Sequence, residues 1–157
     1  MIVKEIRDED FTSYKKPSMV IGFPSCTFKC ERECGQKMCQ NSALSTSPDI
    51  RVDTYDIVNR YLTNPITKAI IMAGLEPFDS WEELKGLVYE IRLYTDDDIV
   101  IYTGYTKMEL IDKMMWLKMF TNIVVKFGRF IPNQQPHHDE VLGIKLASDN
   151  QHAERIS

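Results

Sequence analysis

The side chains best suited to chemistry are four cysteines, Cys26, Cys30, Cys34 and Cys39, the complete cysteine content of the chain, gathered in one short stretch. Thiolates are soft ligands that iron–sulfur clusters and zinc both accept, so residue type alone leaves the metal open. Spacing says more. Three, three and four residues separate successive cysteines, without the dozen or more that usually lie between the cysteine pairs of a zinc finger or ribbon. This favours an iron–sulfur site over zinc, and both over a redox or structural thiol role. A disulfide framework would normally tie distant segments together, whereas these thiols are neighbours.

The elements that must position them alternate. Ser18 to Phe23 reads as a buried strand, stopped by Pro24-Ser25, so the cysteines are expected in a loop after a strand. Val52 to Leu62 has a helical apolar face and ends at Asn64-Pro65; a strand follows at Lys68 to Ala73. Ser80-Trp81-Glu82-Glu83 matches a capping box for a helix to about Leu93, and Asp96-Asp97-Asp98 reads as a solvated turn. Ile99 to Tyr102 is a strand, Thr106 to Glu109 a second capping box for a helix to about Met115, and Asn122 to Phe127 a fourth strand. Val141 to Ala147 could add another. Short connections between alternating strands and helices imply right-handed crossovers, hence an α/β domain with a mostly parallel sheet, one domain over residues 1–157. In such sheets ligands collect at the carboxyl ends of the strands. The cysteines, Gly74 to Pro77 and Thr103-Gly104 all lie at such ends.

Phe23-Pro24-Ser25-Cys26-Thr27-Phe28-Lys29-Cys30 and Cys39-Gln40-Asn41-Ser42-Ala43-Leu44 together resemble the cysteine signature of the radical S-adenosylmethionine superfamily. Residues 31–38 stand where that signature has two, which reads as an insertion. The resemblance implies Cys26, Cys30 and Cys39 as ligands of a 4Fe-4S cluster, with Cys34 a passenger. Three thiolates would leave one iron open for S-adenosylmethionine. Gly74-Leu75-Glu76-Pro77 resembles the Gly-Gly-Glu-Pro element that holds the methionyl ammonium through backbone oxygens, with Leu75 replacing the second glycine. Tyr102-Thr103-Gly104-Tyr105, Lys126 to Ile131 and Leu146 to Gln151 are similar, in order, to segments of anaerobic ribonucleotide reductase activases. The implied fold is a partial (βα) barrel. The implied activity is reductive cleavage of S-adenosylmethionine to install a glycyl radical on a partner, the anaerobic ribonucleoside-triphosphate reductase, with an electron donor such as flavodoxin or ferredoxin. Other radical modifications, and a non-catalytic module closed by all four cysteines, are the competing readings.

Several classes are disfavoured. Lys plus Arg number 19 against 23 Asp plus Glu, with no basic block to neutralise a run of phosphates, so direct nucleic-acid binding is not expected. No apolar run approaches the roughly 18 residues of a membrane helix, and the amino terminus lacks a signal-peptide pattern, so a cytoplasmic protein is expected. His137-His138-Asp139-Glu140 sits in a polar stretch as a weak metal candidate, Met114 to Phe120 reads as a buried helix end, and Arg129 could pair with a cofactor or partner carboxylate or form a surface ion pair.

Overall fold

A computed structural model describes residues 1–157. The strands are β1 (Ile2–Val3), β2 (Glu5–Asp10), β3 (Ser18–Phe23), β4 (Ile50–Arg51), β5 (Ala69–Gly74), β6 (Asp98–Tyr102), β7 (Ile123–Phe127), β8 (His137–Asp139), β9 (Ile144–Leu146) and β10 (His152–Arg155). The helices are α1 (Lys29–Cys34), α2 (Ser42–Thr46), α3 (Thr54–Leu62), α4 (Trp81–Arg92) and α5 (Ile111–Leu117). Six strands form the central sheet in the order β10-β7-β6-β5-β3-β2. The inner four are parallel and the two edge strands antiparallel.

The inner strands are apolar runs buried on both faces, as a parallel sheet covered on both sides requires. Alternate side chains separate into two cores. Met19, Ile21, Phe23, Met72, Ile101 and Val125 meet α3, α4 and α5, where α4 contributes Leu84, Leu87, Val88 and Ile91 at helical spacing. Val20, Ile71, Val100 and Val124 face the other way and are closed over by Tyr14, Leu142 and Leu146. That second cover is the 11–17 segment and the β8–β9 hairpin. Each crossover from β3 through β7 steps one strand in the same direction, so all four carboxyl ends share one edge.

Several sequence expectations are corrected by packing. The four inner strands and the helices over residues 54–62 and 81–92 match the periodicity, but β2 and β10 carry mixed polar sequences and are recognisable only by their pairing. Ser80 makes no cap: its Oγ is buried without a partner because a 3₁₀ turn over Pro77–Ser80 runs directly into α4. The Thr106–Glu109 box does form, with Thr106 N–H and Oγ1 donating to the Glu109 carboxylate, ahead of a short 3₁₀ turn and α5. Met114 and Leu117 are core, whereas Met115 and Met119 are exposed. The strand expected over residues 141–147 is confined to β9, and the His137 stretch is the strand β8, whose Asp139 is spent holding Leu142 and Ala153 N–H groups.

Asp98 is not in a solvated turn. It opens β6, is buried, and receives the Tyr14 hydroxyl at 3.0 Å, Arg155 at 2.9 Å and Lys16 at 2.5 Å. Despite burial, the hydrogen bonds from Lys16, Arg155 and Tyr14 hold its carboxyl below the usual range. A depressed carboxylate pKa adds stability that is present above the ordinary value and lost as pH falls through the folded one. Asp98→Ala is expected to cost about 2–3 kcal/mol at pH 7, with the difference from wild type shrinking below pH 4. Urea unfolding at the two pH values checks it.

Candidate functional site

The cysteine segment is folded onto the carboxyl edge of the sheet by its own backbone. Leaving β3, Ser25 O accepts Glu76 N–H at 2.8 Å, and Thr27 N–H donates to Asp79 at 2.8 Å. Phe28 takes a left-handed φ of 51° and starts α1, so Cys30 and Cys34 are helical rather than in a loop. Locally this stretch is polar and helix-compatible, a signal outweighed in the sequence by the expectation of a strand-end loop. The Glu31 carboxylate accepts Met38 N–H at 3.2 Å and Cys39 N–H at 3.1 Å. Asn41 then donates to Gly74 O at 2.7 Å, pinning the returning chain to the end of β5.

These elements enclose a cavity of about 300 Å³. Cys26, Cys30 and Cys39 share its wall with Gly74, Leu75, Glu76, Thr103 and Gly104. Cys34 is exposed and is not part of that wall. Pro77 is buried just behind, in the first turn after Glu76. No three histidine, cysteine or carboxylate side chains converge at the distance of a single metal ion. Burial, with neighbouring acidic groups, pushes the Cys26 thiol up to about 11; burial and then Cys39 raise Cys30. Ligation by these thiols therefore entails proton release.

Glu76 is the hub beside them. It is 5% exposed, and its carboxylate receives Thr103 Oγ1 at 2.8 Å, Gly104 N–H at 2.9 Å and Phe78 N–H at 3.2 Å. One side chain thus joins the ends of β5 and β6. Burial pushes its carboxyl up to about 7 against those three donors. Lys126, on β7, lines the same cavity, donates to Gly128 O at 2.9 Å, and is lowered to about 8 by burial, with Glu76 opposing. Leu75 has ordinary backbone angles, so the place of a second glycine accepts leucine; Gly74, at φ 92°, does not have that freedom.

Arg129 is committed within the chain. Its guanidinium forks onto Glu109 at 2.8 and 3.1 Å, approaches Glu33 at 3.4 Å, and lies over the Tyr105 ring. Lys29 pairs with the same Glu109, so α1 is tied to the 3₁₀ turn ahead of α5. The Ser148 to Gln151 segment is scaffolding: Gln151 bridges Gly128 O and the Ala147 and Ser148 N–H groups, and Asn150 donates to Arg129 O. Lys126 and Glu31 are site residues that no motif in the sequence singles out. A lysine inside the apolar run Ile123-Val124-Val125-Lys126-Phe127 was the available signal for the first; nothing short of the folded loop marks the second.

Residues 19–152 match the 4Fe-4S single cluster domain family. The chain belongs to that family. The matched span begins in β3 and ends at the first residue of β10, so the 4Fe-4S single cluster domain takes in the four parallel strands, the cysteine segment and the cavity. No curated protein and no solved structure matches the chain. The donor set fits such a domain: all the chain's thiols lie in one segment, and three of them face one cavity at the strand ends. Iron–sulfur ligation is consistent with redox chemistry there. No helix is long and apolar enough to cross a membrane.

Proposed function

We propose that this 4Fe-4S domain is a radical S-adenosylmethionine activase in which Cys26, Cys30 and Cys39 hold the cluster and the partner is a glycyl-radical enzyme, by resemblance the anaerobic ribonucleoside-triphosphate reductase. The observation that carries the reading is the sharing of one cavity by three thiols and the Gly74–Glu76 and Thr103–Gly104 strand ends, with Cys34 outside. An exposed fourth thiol argues for an open three-thiolate site over a closed four-thiolate module. When bound, the cluster would supply the electron that cleaves S-adenosylmethionine to methionine and a 5'-deoxyadenosyl radical.

The chain's own residues would bind and orient. By the resemblance, backbone oxygens of the Gly74–Glu76 strand end would receive the amino group, with Gly74 O already held by Asn41. Glu76 holds the β5 and β6 ends together, and the parallel strands β3, β5, β6 and β7 would supply the partial (βα) barrel that the resemblance implies. A partner glycine loop would enter at the open mouth, and flavodoxin or ferredoxin would serve as reductant.

The test is 5'-deoxyadenosine formation by anaerobically reconstituted protein with dithionite. Wild type and Cys34→Ala are expected to form it, and Cys39→Ala to lose at least 100-fold, roughly the scale of removing an essential catalytic group. A full iron–sulfur complement without product from wild type would sink the activase reading in favour of a binding module. Glycyl-radical resonance on the co-purified reductase tests the partner separately.

A further inference from the structure

We infer that Glu31 is a positioning residue that selects Cys39 over Cys34 as the third cluster thiolate, an assignment that rests on the cluster reading above. The competition is real. Cys34 follows Cys30 by four residues on α1, so the two side chains are neighbours on one helical face, roughly 5–6 Å apart at Cβ. Cys39 must instead be brought back to Cys30 across residues 31–38, a segment long enough to take many paths.

Glu31 removes that freedom twice. Its backbone oxygen accepts Gly35 N–H at 2.8 Å, where a left-handed φ of 66° ends the helix and reverses the chain. Its carboxylate Oε1 then accepts the N–H groups of Met38 and Cys39. The residue after the second cysteine therefore clamps the main chain of the last one, and Cys39 lines the cavity wall. Packing does not do this work, because α1 buries no residue. Polar contacts seat the segment: Thr27 N–H on Asp79 and Lys29 on Glu109 at its start, Arg129 on Glu33 along α1, Asn41 on Gly74 O at its end, and Glu31 on the returning backbone between them.

Cutting the last of these releases the Met38 and Cys39 N–H groups, leaving the returning chain anchored only beyond Cys39 by Asn41, while Cys34 stays on the helix of Cys30 as the competing donor. Since α1 carries no core residue, the domain itself is expected to keep its fold.

The experiment reconstitutes the full chain anaerobically at limiting iron and reads iron and sulfide per chain and the electron paramagnetic resonance of the dithionite-reduced cluster. Glu31→Ala and Glu31→Gln are compared, each with and without Cys34→Ser. Glu31→Ala alone is expected to retain iron with a changed resonance, reporting Cys34 as ligand. Glu31→Ala with Cys34→Ser should lose cluster affinity roughly 10-fold or more, the scale of removing a residue that orients a ligand. Glu31→Gln with Cys34→Ser should restore it, because the amide oxygen still accepts both N–H groups. Equal iron uptake by Cys34→Ser with and without Glu31→Ala overturns the assignment. So does a Cys39→Ser variant with an unaltered cluster. A protein showing the expected iron pattern but forming no 5'-deoxyadenosine would end the activase reading and leave the Glu31 assignment intact.

Discussion

Gly74→Ala is expected to destabilise the domain by about 3–5 kcal/mol, combining a strained left-handed backbone with overpacking. Gly74 has φ 92°, and a Cβ there would lie 2.7 Å from both Gly22 Cα and Phe23 N. Those are backbone atoms of the adjacent parallel strand and cannot rotate aside. The only relief is to part β3 from β5 at their carboxyl ends, where Leu75 N–H bonds Phe23 O and Glu76 N–H bonds Ser25 O. The same movement would shift the cysteine segment, so iron uptake should fall with stability. Gly86→Ala is the matched control. Gly86 lies inside α4 with open space around its missing Cβ, and alanine there should stabilise by about 0.5–1 kcal/mol. Urea midpoints of opposite sign for the two variants would bear out the argument; a wild-type midpoint for Gly74→Ala would refute the close approach.

Glu76→Ala should be as damaging, at about 3–5 kcal/mol, for a different reason. It leaves the Gly104 and Phe78 N–H groups and the Thr103 hydroxyl without their acceptor and Lys126 without the carboxylate that offsets its burial. The pair also shapes the pH dependence. A Glu76 carboxyl raised to about 7 favours the protonated folded state, so its contribution is fully present below the ordinary value of 4.5 and is lost as pH rises through 7. Lys126, lowered to about 8, works in the other sense: the unfolded chain binds the extra proton between 8 and the ordinary 10.5, so stability recovers across that window. Together they predict a trough near pH 7–8. Lys126→Met should lose the alkaline recovery while keeping the fall on the acid side. Unfolding midpoints measured from pH 5 to pH 10 would show both limbs; an alkaline recovery unchanged in Lys126→Met would place its origin elsewhere.

The amino-acid sequence by itself determined the metal-binding class and the parallel core. Four thiols between positions 26 and 39 narrow the chemistry because soft ligands crowded into one segment serve few purposes, and runs such as Ala69-Ile70-Ile71-Met72 are legible because a strand buried on both faces must be continuously apolar. Helices α3 and α4 were legible for the corresponding reason, an apolar face at 3.6-residue spacing. Tertiary structure decided the rest. Asp98 reads as solvent-facing among three aspartates, yet Tyr14, Lys16 and Arg155 converge on it from segments far along the chain. Ser80 has the right residue type for a cap and makes none, since a preceding turn satisfies the local backbone differently. β2 and β10 have no period of their own and exist because the sheet edge offers them partners. Arg129, whose partner the sequence leaves open, is a strut in the fold, and Lys126 and Glu76, both buried, line one cavity only because the ends of β5 and β7 are brought together. Local composition is written residue by residue, whereas burial, charge partners and the path of the cysteine segment depend on which distant backbone atoms fill the space around each side chain.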